Sequence, residues 1–174
     1  KLGFKPNFSK KDFTALLCGV GNEKTSNEFI KFVIARNHKA KIFIIDIADE
    51  QINAVKKLVQ QKYSYLNIKV KRIDALKLDS FIKKESIDWI ETDGYLEYFD
   101  SNSLGILLRV WKTILKKDGF ITFRDCVIVG RSEQLVDRIK IWIAKLWLGI
   151  TVYTHTKKYL EKLLTTVGFK FTSG

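Results

Sequence analysis

Apolar and polar positions change period in a regular way along the chain. Phe13-Thr14-Ala15-Leu16-Leu17-Cys18 is an apolar run of strand length that stops at Gly19-Val20-Gly21-Asn22. Residues 24–37 follow with helical spacing, Phe29, Ile30, Phe32, Val33 and Ile34 supplying a core side. Asn37-His38-Lys39 reads as a turn with His38 in solvent. Lys41-Ile42-Phe43-Ile44-Ile45-Asp46 is a second apolar strand that ends in a carboxylate. A helix opens at Asp49-Glu50-Gln51, its acids at the positive end of the helix dipole, and runs through Ile52, Val55, Leu58, Val59 and Tyr63. Residues 68–73 alternate apolar and basic, which predicts a strand with one face poorly buried, as at a sheet edge, ending in Asp74-Ala75-Leu76.

The second half repeats the theme. Ile87 to Thr92 is a fourth strand and leads into Asp93-Gly94-Tyr95-Leu96-Glu97-Tyr98-Phe99. Leu104, Leu107, Leu108, Trp111, Ile114 and Leu115 form an amphipathic stripe, and Lys116-Lys117-Asp118-Gly119 is expected to end that helix with basic residues and a glycine C-cap. A fifth strand over residues 120–125 follows at once. Residues 132–148 predict a helix with a wide apolar face including Trp142 and Trp147, and with Ile141 and Leu148 on its other side. A last helix over 156–167 leads into a sixth strand, 168–172. Residues 1–12, polar and basic, read as a loop or the remnant of an N-terminal cap.

Strand and helix alternate throughout, so the expected architecture is α/β: a parallel sheet with helices on both faces. In such a sheet the ligand site lies beyond the C-terminal strand ends, and Asp46, Asp74, Asp93 and Asp125 all fall there. The glycine turn after the first strand and the acid ending the second suit an adenosine ribose, whose hydroxyls a strand-tip carboxylate can accept. A dinucleotide would need a third small residue three positions after Gly21, where Lys24 stands, so that the pyrophosphate could reach the helix N-terminus.

Leu16-Leu17-Cys18-Gly19-Val20-Gly21-Asn22 resembles the first motif of class I S-adenosylmethionine-dependent methyltransferases, whose cofactor has no phosphate. Cys18 stands where the family usually has an acid, and Asn22 where it often has a glycine. The resemblance covers residues 13–126 well and 150–172 loosely. It implies a Rossmann-like three-layer αβα sandwich with a mostly parallel sheet, forming a single methyltransferase domain over 1–174. One further antiparallel strand, normal in the family, is missing from the sequence. It also implies S-adenosylmethionine as cofactor, bound through Cys18, Gly19, Val20, Gly21, Asn22, Asp46, Ile47, Asp74, Ala75 and Asp93. Asp46 would take the ribose and Asp74 the adenine amino group, although Asp74 also reads as a helix N-cap or turn acid.

Methyl transfer is an in-line displacement in which the protein aligns the acceptor and, where needed, removes a proton. In the family the end of the fourth strand faces the transferable methyl group, which makes Asp93, Tyr95 and Glu97 the candidate catalytic groups: Asp93 or Glu97 as a base, Tyr95 or Tyr98 as a positioning group. The segment lacks the Asn/Asp-Pro-Pro-Tyr/Phe sequence that the family uses on exocyclic base amines. A small-molecule acceptor is the leading expectation, with residues 127–155 as part of a substrate cap. The alternatives are an RNA or protein methyltransferase and a non-catalytic binding module that kept the fold. The 132–148 helix would equally serve a homodimer or, with Lys140 and Lys145, a membrane surface.

Charge changes this picture little. The net charge is +12, but lysine far outnumbers arginine and comes in dispersed pairs such as Lys10-Lys11, Lys56-Lys57, Lys83-Lys84, Lys116-Lys117 and Lys157-Lys158. Solvated surface explains that pattern first; weak, non-specific nucleic-acid binding and an anionic small substrate are the other uses. Cys18 and Cys126 are expected as two buried thiols, since the family's strand order puts a strand between them and a disulfide out of reach. With only His38 and His155 besides, no zinc-binding spacing occurs, and no metal is expected. No apolar run reaches a membrane span of ~18 residues, and the first residues have no signal-peptide core, so a cytoplasmic location is the default. The sequence contains no methionine, which predicts a trimmed or processed chain.

Overall fold

The structure, a computed structural model, describes residues 5–125, 127–128 and 151–170. Five strands form one sheet: β1 (Thr14–Cys18), β2 (Lys41–Asp46), β3 (Ile68–Arg72), β4 (Ile87–Asp93) and β5 (Leu115–Arg124), in the order β3-β2-β1-β4-β5. Every pairing is parallel. The chain builds outward from β1 to β3, then returns to place β4 on the other side of β1. This reversal opens a crevice at the C-terminal ends of β1 and β4, and it is the feature of the fold that positions the site.

Two apolar layers hold the sheet. On one face α1 (Glu23–Arg36) and α2 (Asp49–Lys62) pack Phe29, Ile30, Val33, Val55 and Leu58 against Ala15, Leu17, Ile42 and Ile44. On the other, α3 (Ser101–Ile114) and α4 (Lys157–Val167) pack with a short 3-10 helix, Ala75–Ser80, against Leu16, Ile45, Ile87 and Ile90. All five residues of β1 are buried, as the central strand of a covered sheet requires. The expected three-layer αβα sandwich is therefore present. A second pairing, not foreseen from the sequence, joins β6 (Val127–Ile128) in parallel to β7 (His155–Thr156).

Several expectations need correction. Helix α3 stops at Ile114, and Leu115 is already extended. Lys116-Lys117-Asp118-Gly119 is not a helix end but a bulge in β5: Leu115 pairs with Ile87 and Phe120 with Trp89, so four residues bulge out opposite Asp88. Glycine is required at 119 by close approach, since a Cβ there would come within 2.8 Å of the Leu115 side chain and 3.0 Å of the Ile87 carbonyl. The left-handed glycine cap sits instead at Gly168 (φ 90°), where a strand was expected; it ends α4, and Phe169 and Lys170 are irregular. Phe32 is not core but 39% exposed, with the Arg36 guanidinium 3.4 Å from its ring centroid.

Residues 5–12 do more than loop. Phe8 packs edge-on against Phe32, Trp89 and Phe120, and the Asn37 side chain donates to the carbonyls of Phe8 and Lys10, both at 2.9 Å. The expected helix 132–148, the greater part of the proposed cap 127–155, residues 171–172 and Cys126 lie outside the described residues.

Candidate active site

Gly19 (φ 80°) turns the chain out of β1, its N–H donating to the Ile45 carbonyl at 3.0 Å. The left-handed backbone favours glycine here. The next N–H, that of Val20, donates to Asp46 Oδ2 at 2.6 Å, and Asp46 Oδ1 accepts from the Ala48 N–H at 2.8 Å. The glycine turn and the β2 acid are thus one bonded unit. A carboxylate has about four lone-pair positions, so Asp46 keeps acceptor capacity toward the crevice. Around Gly21 the space is open: a Cβ there would meet nothing within 4 Å. Asn22 is the N-cap of α1, its Oδ1 accepting from the Thr25 N–H at 3.0 Å, which accounts for a side chain where the related motif often has glycine.

Beside this unit Ile47 stands 63% exposed, an apolar surface next to the acid. Asp74 caps the 3-10 helix by accepting from the Leu76 N–H at 3.0 Å and leaves its second oxygen for another donor. Ala75 is buried, so only its backbone is available to a ligand. Cys18 is fully buried at the end of β1; burial pushes its thiol well above the usual value, Asp46 adds to the shift, and no thiolate forms.

Tyr95 lies over the turn. A Cβ on Gly19 would sit only 2.4 Å from its ring, so this contact, as well as the positive φ, calls for glycine at 19. Burial raises the Tyr95 hydroxyl far above its ordinary pKa, and nearby Cys18, Asp46 and Asp74 push the same way, so it remains a proton donor. Gly94 (φ 58°) provides the turn that brings the ring there, and Phe99 supports it edge-on at 5.1 Å between centroids.

Asp93 behaves differently. Its carboxylate forms a two-pronged pair with Arg124 of β5, Nε to Oδ1 at 2.9 Å and a second bond from Nη2 to Oδ2. That guanidinium holds the Asp93 carboxyl below the ordinary range, so Asp93 is a weak base tied to the next strand. Among the described residues Glu97 has no such partner; burial, with Asp125 nearby, raises its carboxyl above the ordinary range. Asp125 Oδ1 accepts from the Leu96 N–H at 2.8 Å and fixes the loop that carries Tyr95 and Glu97. The Tyr153 N–H donates to the Glu97 carbonyl at 2.6 Å, bringing the segment after the undescribed residues against the same loop.

The structure thus gathers Gly19, Val20, Gly21, Asp46, Ile47, Asp74, Tyr95 and Glu97 at one edge of the sheet. Sequence reasoning missed Glu91, a carboxylate on β4 that accepts from Thr122 Oγ1 and that burial raises to about 7. Its signal was an acid directly after the apolar pair Trp89-Ile90 in a strand buried on both faces, two positions before Asp93. His155 was missed too: it is 6% exposed, with Nε2 2.9 Å from the Phe99 carbonyl. No group of histidine, cysteine and acids suited to a metal ion occurs among the described residues.

Comparison with known proteins agrees with this geometry. No curated protein sequence matches the chain. In fold it is similar to a Bacillus halodurans C-125 protein assigned to the methyltransferases, at 15% identity and a TM-score of 0.74, covering 95% of this chain and 66% of that one. A SAM-dependent methyltransferase of Methanosarcina mazei gives 18% identity and a TM-score of 0.70, covering 95% of this chain and 84% of that one. The geranyl diphosphate C-methyltransferase of Streptomyces coelicolor A3(2), solved with Mg2+, geranyl diphosphate and S-adenosyl-L-homocysteine, gives 12% identity and a TM-score of 0.69, covering 91% of this chain and 54% of that one. The chain thus spans under two thirds of the length of the first and third of these proteins. A family model described as a methyltransferase domain matches residues 10–167. That match takes in all five strands of the sheet and the whole crevice, and the chain belongs to the methyltransferase domain family.

Proposed function

We propose that the protein transfers a methyl group from S-adenosylmethionine to a small-molecule acceptor. The observation that carries this reading is the bonded unit of glycine turn and strand-tip acid: Asp46 takes the Val20 N–H at 2.6 Å and still offers lone pairs beside the open space at Gly21. The residues suit the cofactor. Asp46 would hold the ribose hydroxyls, exposed Ile47 would flank the adenine, the free oxygen of Asp74 would accept from the adenine amino group, and Gly19 to Asn22 would border the methionine end. Bound there, the sulfonium cofactor supplies an electrophilic methyl group.

The chain's own groups would do the rest. Tyr95, kept protonated, donates a hydrogen bond that orients ligand against the Gly19 turn. Glu97, with its raised affinity for protons, is placed to take a proton from the acceptor, which a tightly paired Asp93 is not. Asp93 with Arg124 instead fixes the tip of β4 against β5. The small-molecule acceptor draws support from the Streptomyces coelicolor enzyme's substrate, geranyl diphosphate, named with the same fold. Among the described residues no helix is long and apolar enough to cross a membrane. The cytoplasmic location, the homodimer through 132–148 and the cap over 127–155 remain parts of this proposal. Calorimetric titration with S-adenosylmethionine and with NAD tests it: the first is expected to bind and the second not, and tighter NAD binding would reject the reading.

A further inference from the structure

The alternation of apolar and basic residues in β3 has a structural counterpart away from the crevice. Ile68 and Val70 face α2. Lys69 and Lys71 project from the other face, paired across the ladder with Phe43 and Ile45 of β2. On that face the chain after β3 makes only the six-residue 3-10 helix, and among the described residues no α-helix covers the outer part of β2 and β3. A cleft of about 340 Å³ results. Its lining includes Lys41, Lys69, Lys71 and Lys83 together with Phe43 and Phe81, and contains no aspartate or glutamate. Asp12, Asp74, Asp79, Glu85 and Asp88, the acids within two positions of a lining residue, are not part of that lining.

None of these four lysines forms an ion pair among the described residues. Lys41 Nζ lies 4.9 Å from the centre of the Phe43 ring and Lys69 Nζ 6.0 Å from it, so the aromatic base of the cleft is itself flanked by cations. Phe81 is 64% exposed at its border. Elsewhere in the chain Lys10 and Lys116 are drawn onto Asp88; here the charge is concentrated and left uncompensated. Holding four like charges around an apolar floor costs self-repulsion that an anionic partner would relieve.

We propose that this lysine-lined cleft on the β2–β3 face docks a single-stranded nucleic acid, as a surface distinct from the methyl-transfer crevice. Lys69 and Lys71 are two strand rises apart, ~6.6 Å, and follow a line that successive phosphates of an extended strand can track. Phe81 offers a face on which a base can stack, the combination of basic groove and aromatic platform that sequence-independent single-strand binding uses. A concave cleft admits a flexible chain better than a flat bilayer. The inference does not rest on the methyl-transfer reading.

Fluorescence anisotropy with a labelled oligouridylate at low salt tests it. K69E/K71E is expected to weaken binding at least tenfold and to lower the slope of log affinity against log salt by about 1.4, two contacts at ~0.7 each. K56E/K57E, an equal charge change on the exposed side of α2, should stay within threefold of the parent. F81A, which leaves charge unchanged, should weaken binding severalfold through lost stacking. An unchanged melting temperature in all three variants shows that they fold. Equal losses in the two charge-reversed variants would overturn the proposal, because net charge alone would then explain binding. So would full affinity in F81A, or an oligouridylate that does not bind while phosphatidylserine vesicles bind in a manner sensitive to K69E/K71E.

Discussion

Glu91 shows how a single residue can couple this site to pH. It sits two positions before Asp93 on β4, and burial raises its carboxyl from 4.5 to about 7, against the opposing bond from Thr122; Asp93 nearby adds to the rise. The sign follows from the direction of the shift. A folded state that holds its proton more tightly than the unfolded chain is stabilised below the unfolded pKa, and that contribution fades as pH climbs through the folded one. Thermal stability is therefore expected to fall as pH rises from about 4.5 to about 7. Glu97 and Asp125 carry shifts of the same direction and contribute to the same slope. Glu91→Gln removes the titrating group while keeping an acceptor for Thr122. Differential scanning calorimetry across that window should find a flatter profile in the variant and a higher melting temperature at pH 8; an identical profile would mean that Glu91 ionises freely in the fold.

At the scale of elements, the β4–β5 pair depends on a buried carboxylate at the opposite end of the sheet from the crevice. Asp88 is 1% exposed; it accepts the Thr14 N–H at 2.9 Å, Lys116 Nζ at 2.6 Å and Lys10 Nζ at 3.4 Å. It ties the N-terminal strap, β1 and the β5 bulge together. Asp88→Ala leaves a buried N–H without its acceptor and takes the carboxylate from two ammonium groups, of which Lys116 keeps only the Asp12 carbonyl, and is expected to cost roughly 2–4 kcal/mol, read from the denaturant midpoint. Lys10→Ala, which removes a long and partly solvated bond, should cost under ~1 kcal/mol. Equal effects from the two would show that Asp88 is not the hub. The same contact explains why the end of α3 was misread. Lys116-Lys117-Asp118-Gly119 carries a good local signal for a helix stop, yet Ile114 is the last helical residue and the bulge follows from a partner 28 positions away. The interiors of α1, α2 and α3 were legible because amphipathic spacing is local. The end of α3 was not, because ladder pairing decided it; α4 ends at Val167 where its spacing placed the end, but the left-handed Gly168 is followed by irregular chain rather than the expected strand.

For the whole molecule, strand–helix alternation was enough to anticipate a parallel sheet with helices on both faces, while its strand order followed only from the resemblance to the methyltransferase family. That order places Asp46, Asp74, Asp93 and Asp125 along one edge, as their sequence positions suggested. The sequence did not reveal what each acid does there. Asp93 looked as free as Glu97 until Arg124 was found beside it. Tyr95 stood with Tyr98 as a candidate positioning group, and nothing in the sequence placed its ring rather than that of Tyr98 on Gly19. These are pairings between strand tips, and periodicity within one strand carries no trace of them. The uncovered face of β3, by contrast, was visible in its basic alternation, although solvation of dispersed lysines was the simpler explanation until Lys41 and Lys83 were found around the same cleft.

The account turns on Asp46, the acid that both anchors the glycine turn and faces the crevice. Isothermal titration of S-adenosylmethionine into the parent protein and into Asp46→Ala measures its role directly. Loss of a charged acceptor is worth about 1.5–3 kcal/mol, so the variant is expected to bind at least tenfold more weakly, with a cooperative melting transition showing that the turn still folds. Affinity within twofold of the parent, in a variant that melts cooperatively, would contradict the assignment of this crevice to the cofactor.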